Sequence, residues 1–389
     1  MGKEPAHLPY TEGPYVPGCF DLMTEYSPDG SFIRMFYPTS LSDIKSHSSK
    51  WISWLPDLSY VDAFAYVLNT WAFLFRPMYK LFAGEVKVPV VWDADLREDG
   101  GKFPVIILSH GLGATRFFYS CICLELASRG FVVAAVEHRD HSSCSTFYYA
   151  SAKDRHLDKR TPISFDKVPV GWNHLSRRQK QVRHRASECQ RAVNLLEALD
   201  AGDEIENLMN CQFKLSQFKG RLDFSKLVMM GHSFGGGTAV RTMGNDSRFK
   251  AGIILDAWVF PIKEDADLPS EITAPMMFIN TQTFQIPPNV AVMQRFMEGG
   301  NADKTERSAF TIRGTTHEHQ SDSPFVIGTW LNLFNLKKLD SALAMKINNY
   351  LIFRFLRTHV GSVPGLPSEE ETSEFLNQQD SNIAPVLSI

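Results

Sequence analysis

The stretch that most constrains the fold is Lys226-Leu227-Val228-Met229-Met230-Gly231-His232-Ser233-Phe234-Gly235-Gly236-Gly237. An apolar run of strand length leads straight into Gly-His-Ser-Phe-Gly, and helix-compatible residues follow from Thr238 to Met243. This is the G-x-S-x-G pattern of a nucleophile elbow. A serine between a strand and a helix exposes its hydroxyl only on a very tight turn. Gly231 and Gly235 lack a Cβ, so strand and helix can close around it. The helix expected from Phe234 points free N–H groups and its positive dipole end at the same place, which favours an oxyanion there.

Around this turn the chain alternates between strand and helix signals. Strand candidates are Ser31–Pro38, Phe103–Ser109, Phe131–Val136, Ala251–Leu255, Pro275–Asn280 and Ala309–Arg313. Several are continuous apolar runs, as buried parallel strands require. Helices are expected over Phe117–Arg129, stopped by Gly130, and over Leu175–Leu199, where Val182, Ala186, Cys189, Val193 and Leu196 recur at helical spacing. The alternation predicts an α/β architecture: a mostly parallel central sheet with helices on both faces. With the elbow it becomes the α/β-hydrolase fold. Residues 1–30 read as an irregular lead-in, 31–360 as one domain, and 361–389 as a loose, polar C-terminal tail.

The elbow calls for partners, and chain order in this fold prunes them: serine, then acid, then histidine. Of the 12 histidines, only His317, His319 and His359 lie beyond Ser233 and an acid-bearing strand end. His317 follows a strand and Gly314, and is preferred to His319; His359 sits in a helix-like segment. Asp256 stands directly at a strand end, where the pocket of an open α/β sheet forms. Asp265 and Asp267 lie further off, and Asn280-Thr281-Gln282 offers no carboxylate. Ser233, Asp256 and His317 are therefore the expected nucleophile, acid and base. The backbone N–H groups of Leu112, in the loop His110-Gly111-Leu112-Gly113, and of Phe234 are the expected oxyanion donors. No metal and no organic cofactor is implied.

Composition narrows the partners. The chain has 389 residues, 44% hydrophobic and 21% charged, with a net charge of -3, so no global field recruits nucleic acid. The basic run Arg177-Arg178-Gln179-Lys180, continued by Arg183, His184 and Arg185, reads as the wet face of a helix. Glu137-His138-Arg139-Asp140-His141 reads as loop hydrogen bonding and ion pairing. Six cysteines without a C-x-x-C pair read as buried free thiols. From Tyr60 to Phe82 the chain is strongly aromatic, but Asp62, Asn69, Arg76, Pro77 and Lys80 interrupt a run that would need about 20 clean residues to span a bilayer. Two readings stay open: a helix packed on the core, or an apolar face lying on lipid.

Taken together these stretches resemble the platelet-activating factor acetylhydrolase family, which has an intracellular type II branch and a plasma, lipoprotein-associated one. The residues that carry the resemblance are Leu108-Ser109-His110-Gly111-Leu112-Gly113, Glu125 to Ala134, Val136-Glu137-His138-Arg139-Asp140, Gly231 to Gly236, Leu255-Asp256-Ala257-Trp258-Val259-Phe260-Pro261, and Gly314-Thr315-Thr316-His317. The resemblance implies a serine-dependent, calcium-independent phospholipase A2 that hydrolyses the sn-2 acetyl, short or oxidised acyl ester of platelet-activating factor and related phospholipids. It carries the nucleophile, acid and base onto Ser233, Asp256 and His317, and the oxyanion donors onto Leu112 and Phe234.

The resemblance also implies a membrane or lipid-particle contact through Trp71, Phe73, Leu74, Phe75, Tyr79, Leu81 and Phe82, with a second near Trp330 to Leu336. Gly237 stands where the family usually has alanine, which reads as a small change, and Ala6 breaks the type II lipidation motif. Met1 to Ala6 has no apolar core of a secretory signal. The expectation is a cytoplasmic, peripherally membrane-associated protein, monomer or weak dimer, with a secreted relative as the alternative location. The rival functions are a carboxylesterase or other serine acyl hydrolase, and a catalytically inactive hydrolase-fold binding module.

Overall fold

A computed structural model describes residues 6–82, 85–99, 101–169, 172–302, 304–327 and 338–384. The apolar runs become the strands of one ten-stranded sheet. In chain order these are β1 (Pro17–Met23), β2 (Phe32–Pro38), β3 (Val91–Trp92), β4 (Phe103–Ser109), β5 (Val132–Val136), β6 (Leu222–His232), β7 (Ala251–Leu255), β8 (Met276–Thr281), β9 (Arg307–Ile312) and β10 (Ile383–Ala384). Their spatial order is β10-β9-β8-β7-β6-β4-β5-β2-β1-β3. The six strands from β9 across to β5 are parallel, and β2 and β10 join that block antiparallel. This is the α/β-hydrolase fold.

The period-two alternation of a strand sorts its side chains onto two cores. On β4, Ile106 and Leu108 enter one core while Val105 and Ile107 enter the other. Val133 and Ala135 part from Val132 and Ala134 on β5 in the same way. The first face is covered by α3 (Ser120–Ser128) and the long helix α7 (Ser341–His359). The second is covered by α4 (Trp172–Ala201), α5 (Phe234–Asn245) and α6 (Pro287–Glu298). With both faces buried, the central strands need no polar side, which is why they read as unbroken apolar runs.

Several expectations are corrected. The lead-in contains β1, which pairs with β2 over seven residues from Pro17–Pro38 to Met23–Phe32. The tail carries α8 (Glu369–Gln378), capped by the Ser368 side chain, and β10, which closes the sheet edge beside β9. Pro, Gly and Tyr in the lead-in and polar residues in the tail concealed these elements, each of which is stabilised by pairing with a distant strand or helix that a local window does not contain. The stretch 142–175 includes a hairpin, Ser145–Tyr148 with Thr161–Ser164.

The aromatic stretch divides into α1 (Ser59–Val67) and α2 (Ala72–Phe82). The break falls at Asn69, whose φ of 55° lies in the left-handed region that asparagine tolerates. The Asp62–Arg76 ion pair joins the two helices. The core-packed reading holds for one face, while the opposite face is exposed. Tyr60, Val61 and Ala65 are buried; Trp71, Phe73 and Leu74 are 67%, 66% and 54% exposed. Among the described residues no helix is long and apolar enough to cross a membrane.

The basic run of α4 is corrected as well. Arg177, Lys180, Arg183 and His184 are exposed, but Arg178 and Arg185 are buried. Positions 178, 181, 182, 185 and 189 follow the 3–4 spacing of the buried stripe, so these two arginines share a face with Val182 and Cys189.

Candidate active site

Consecutive strands run to opposite sides of β4: β5 on one side, β6 on the other. That reversal opens a crevice at the carboxyl ends of β4 and β6, where open α/β sheets bind ligands. The loop after β4 and the turn after β6 both lie there.

At the turn, Ser233 has φ 56° and ψ −119°, a strained conformation for a residue with a Cβ. Its surroundings hold it. Ser233 N donates to Leu255 O at 2.9 Å, and Ser233 O accepts from Gly236 N at 2.9 Å and Trp258 N at 2.8 Å. The glycines are required by contact. A Cβ on Gly231 would meet Gly235 O at 2.0 Å, and one on Gly235 would meet Ser109 O at 2.0 Å. At Gly237 a Cβ would meet Trp258 O at 2.6 Å, so on this backbone the alanine of the resemblance would need a local shift. Phe234 is the first residue of α5, and among the described residues its N–H donates to no protein acceptor.

Asp256 is the first residue after β7, with φ 41°. It is 1% exposed. Oδ1 accepts from Thr281 N at 2.9 Å; Oδ2 accepts from Thr281 Oγ1 at 2.7 Å and faces His317 Nδ1 at 2.6 Å. His317 begins the short helical turn after β9 and is partly open to the cavity. Phe284 stacks on its ring at a centroid distance of 3.9 Å, and the His232 ring lies at 4.5 Å. Burial, reinforced by the neighbouring His317, holds the His232 imidazole well below its usual pKa. Phe284 was missed in the sequence because its loop has no periodic signal.

His319 is turned away from this cluster. Its Nδ1 accepts from Thr316 N at 3.1 Å in the capping arrangement of that turn. His359 pairs with Glu306. Among the described residues Ser233 Oγ forms no hydrogen bond with His317, although both line one cavity; such bonds are often long before substrate binds. His232, Asp256 and His317 offer ligand atoms within 4.8 Å of one another. A cation bridging Asp256 and His317 would need each donor at about 2.0–2.2 Å. The observed 2.6 Å between them is a hydrogen-bond distance.

The loop after β4 crosses over the serine: a Cβ on Gly111 would lie 3.3 Å from Ser233 Cβ. Gly111 N donates to Tyr119 Oη at 3.0 Å, and Gly113 N donates to Ser142 O at 2.7 Å. Leu112 N has no protein acceptor among the described residues. Tyr119 Oη also contacts His232 Nδ1 at 2.8 Å.

The cavity above Ser233 measures about 360 Å³. Its walls are largely apolar: Trp54, Phe64, Val67, Phe75, Tyr79, Phe118 and Ile327. Phe75 and Tyr79, expected on a lipid face, are placed here instead, one helical turn apart on the inner side of α2. Trp71, Phe73 and Leu74 are on the outer side. The side chains of Leu81 and Phe82, and the whole of Trp330 to Leu336, lie outside the described residues. Asp322 anchors the wall. Its carboxylate accepts from Ser120 N, Cys121 N and Trp54 Nε1 at 2.8–2.9 Å, and burial pushes its pKa up to about 6.

Comparison with known proteins agrees in family and fold. The family described as platelet-activating factor acetylhydrolase, isoform II, matches residues 1–371. The chain is 36% identical over 384 residues to a platelet-activating factor acetylhydrolase of Cavia porcellus, covering 98% of this chain and 84% of that one. It is 35% identical over 362 residues to the protein of that name from Gallus gallus, covering 91% and 83%. Among solved structures, a ferulic acid esterase from Streptomyces cinnamoneus superposes with a TM-score of 0.54 at 18% identity, covering 97% of each chain, a likeness of fold.

Proposed function

The chain belongs to the platelet-activating factor acetylhydrolase, isoform II, family, and from that premise we propose a serine-dependent, calcium-independent phospholipase A2. It hydrolyses the sn-2 acetyl or short acyl ester of platelet-activating factor and related phospholipids. The observation that carries the reading is Ser233 on a strained turn, under a small apolar cavity shared with an imidazole hydrogen-bonded to a buried carboxylate.

In this reading Ser233 Oγ attacks the ester carbonyl carbon while His317 Nε2 takes its proton. Asp256 keeps the proton on Nδ1 and stabilises the imidazolium. The N–H groups of Leu112 and Phe234 receive the oxyanion, each worth roughly 3 kcal/mol of barrier. As the intermediate collapses, His317 returns the proton to the departing glycerol oxygen. Water, deprotonated by the same imidazole, then cleaves the acyl-enzyme and releases the acid. No step needs a cation, so chelation leaves the rate unchanged. A fluorophosphonate probe tests the nucleophile: labelling lost in Ser233→Ala supports it, and labelling that survives refutes it. A p-nitrophenyl ester series from acetyl to palmitoyl tests the substrate class. A steep decline with length supports a short-acyl pocket, and a flat profile favours a general carboxylesterase.

The substrate resides in lipid, and the outer face of α1 and α2 supports docking there. Leu58, Tyr66, Trp71, Phe73 and Leu74 are exposed on or beside the helix pair whose inner side lines the cavity. Peripheral association puts the cavity mouth at the surface. All six cysteines are free thiols, which supports a cytoplasmic location. Trp71→Glu with Phe73→Glu should abolish co-sedimentation with phosphatidylcholine vesicles while sparing hydrolysis of soluble esters. Unchanged sedimentation would overturn the docking reading.

A further inference from the structure

Arg185 lies on α4, far in sequence from every residue assigned above, yet its side chain is 0% exposed directly behind the loop over Ser233. Nη1 donates to His110 O at 2.5 Å and Nη2 to Gly111 O at 3.4 Å. Nε donates to Ser142 Oγ at 2.7 Å and lies 3.4 Å from Asp140 Oδ2. The guanidinium carbon sits 4.7 Å from the centroid of the Phe234 ring. One planar group therefore touches both segments expected to supply oxyanion donors.

The peptide geometry gives this contact a consequence. In a trans peptide the C=O and the following N–H point in opposite directions. Gly111 O is held towards α4 by Arg185 and by His110 Nδ1 at 2.8 Å. Leu112 N–H, the other end of that peptide, is thereby directed away from α4. His110 O and Gly111 N are fixed the same way, by Arg185 on one side and Tyr119 on the other. Both peptides are locked, and Leu112 N–H is left without a protein partner among the described residues. An amide whose carbonyl is bonded to a cation is also a stronger donor through its N–H.

We propose that Arg185 is a positioning residue for the oxyanion hole, holding the Gly111–Leu112 peptide so that its N–H meets the transition-state oxygen. This rests on the reading of Leu112 as an oxyanion donor. Lysine cannot replace it, because the fork reaches two carbonyls and a hydroxyl at fixed angles, whereas an ammonium is a point charge.

The test uses the full-length chain with Arg185→Lys and Arg185→Gln, read four ways. Relative to wild type, kcat for a soluble acetyl ester should fall about 100-fold, the scale of one lost donor, with KM changed less than about threefold. The inhibition constant of a trifluoromethyl ketone, which forms a hemiketal oxyanion on Ser233, should rise in the same proportion. Affinity for a non-hydrolysable ether analogue, which places no oxyanion, should stay the same. The pH–rate profile should keep its shape.

A kcat within threefold of wild type in folded Arg185→Lys and Arg185→Gln overturns the proposal. So does a fall in kcat that the ketone affinity does not follow. If both variants fail to fold, Ser142→Ala decides: it removes the Nε acceptor and should weaken ketone binding and kcat together by about three- to tenfold, and no change overturns the proposal. Replacing the Leu112 amide by an ester through incorporation of the hydroxy acid separates the two levels. No loss there refutes Leu112 as a donor, whereas a loss there without one at Arg185 refutes only the role of Arg185.

Discussion

Asp256→Asn tests the proposed catalytic arrangement most sharply, because the site dictates how the amide must sit. Thr281 N donates to Oδ1 at 2.9 Å. Keeping that bond makes the asparagine oxygen occupy the Oδ1 position. The amide nitrogen then occupies the Oδ2 position, 2.6 Å from His317 Nδ1. Two donors cannot face each other, so the imidazole must accept at Nδ1 and carry its proton on Nε2, where it cannot serve as a base. Flipping the amide leaves Thr281 N–H against an NH2 group, at a cost of about 1–3 kcal/mol for the buried orphan.

The lost charge gives a second estimate of the same loss. With an effective dielectric of about 20 and charge centres about 4 Å apart, the imidazolium loses about 4 kcal/mol, or about 10³ in rate. The tautomer effect in the serine-protease template gives about 10⁴. Turnover of p-nitrophenyl acetate and of an acetyl-ether phospholipid should therefore fall 10³- to 10⁴-fold. KM should change little, since the imidazolium forms only on the way to the transition state. Thr281→Val removes only the hydroxyl donor to Oδ2 and should cost about tenfold, within the range of one hydrogen bond to a charged group. A folded Asp256→Asn protein with more than a tenth of wild-type turnover would refute the assignment of base and acid.

Gly235→Ala places a methyl 2.0 Å from the Ser109 carbonyl oxygen, between two backbones that cannot yield. It should lower the thermal midpoint by many degrees or abolish soluble expression, and a near-native midpoint would show that β4 and the elbow can move apart. Phe284→Ala removes the ring stacked on His317 and should lower kcat about tenfold, or about 1.4 kcal/mol, with KM unchanged. Asp322 should give stability a pH slope. Its folded pKa of about 6 exceeds the ordinary 3.8, so between these values the native state binds more protons than the unfolded chain. The contribution is full below about pH 4 and lost as pH rises through about 6, on the order of 2–3 kcal/mol. Urea unfolding at pH 4 and pH 7 should show that difference in wild type and not in Asp322→Asn, and equal slopes would refute the assignment.

Much of the parallel block was legible in the sequence, because its signals are local and steric. Continuous apolar runs mark strands buried on both faces. Gly-His-Ser-Phe-Gly marks a bend that only glycine neighbours permit, and the φ of 56° at Ser233 lies in the left-handed region such a bend demands. Chain order and strand ends singled out Asp256 and His317, which the fold places 2.6 Å apart.

The rest depended on contacts between distant segments. Strands β1 and β10 are defined by their partners more than by their own residues. The stretch 60–82 carries more aromatic and aliphatic residues than one buried face needs, so its composition could not say that Phe75 and Tyr79 would face a cavity and Trp71 and Phe73 the solvent. Arg185 is the clearest case. By residue type it belongs on a wet face, and only the tertiary fold brings to it the carbonyls of His110 and Gly111, the Ser142 hydroxyl and the Asp140 carboxylate that make a buried cation stable there. Local sterics are written in the sequence, whereas compensation for a buried charge exists only once the chain has folded.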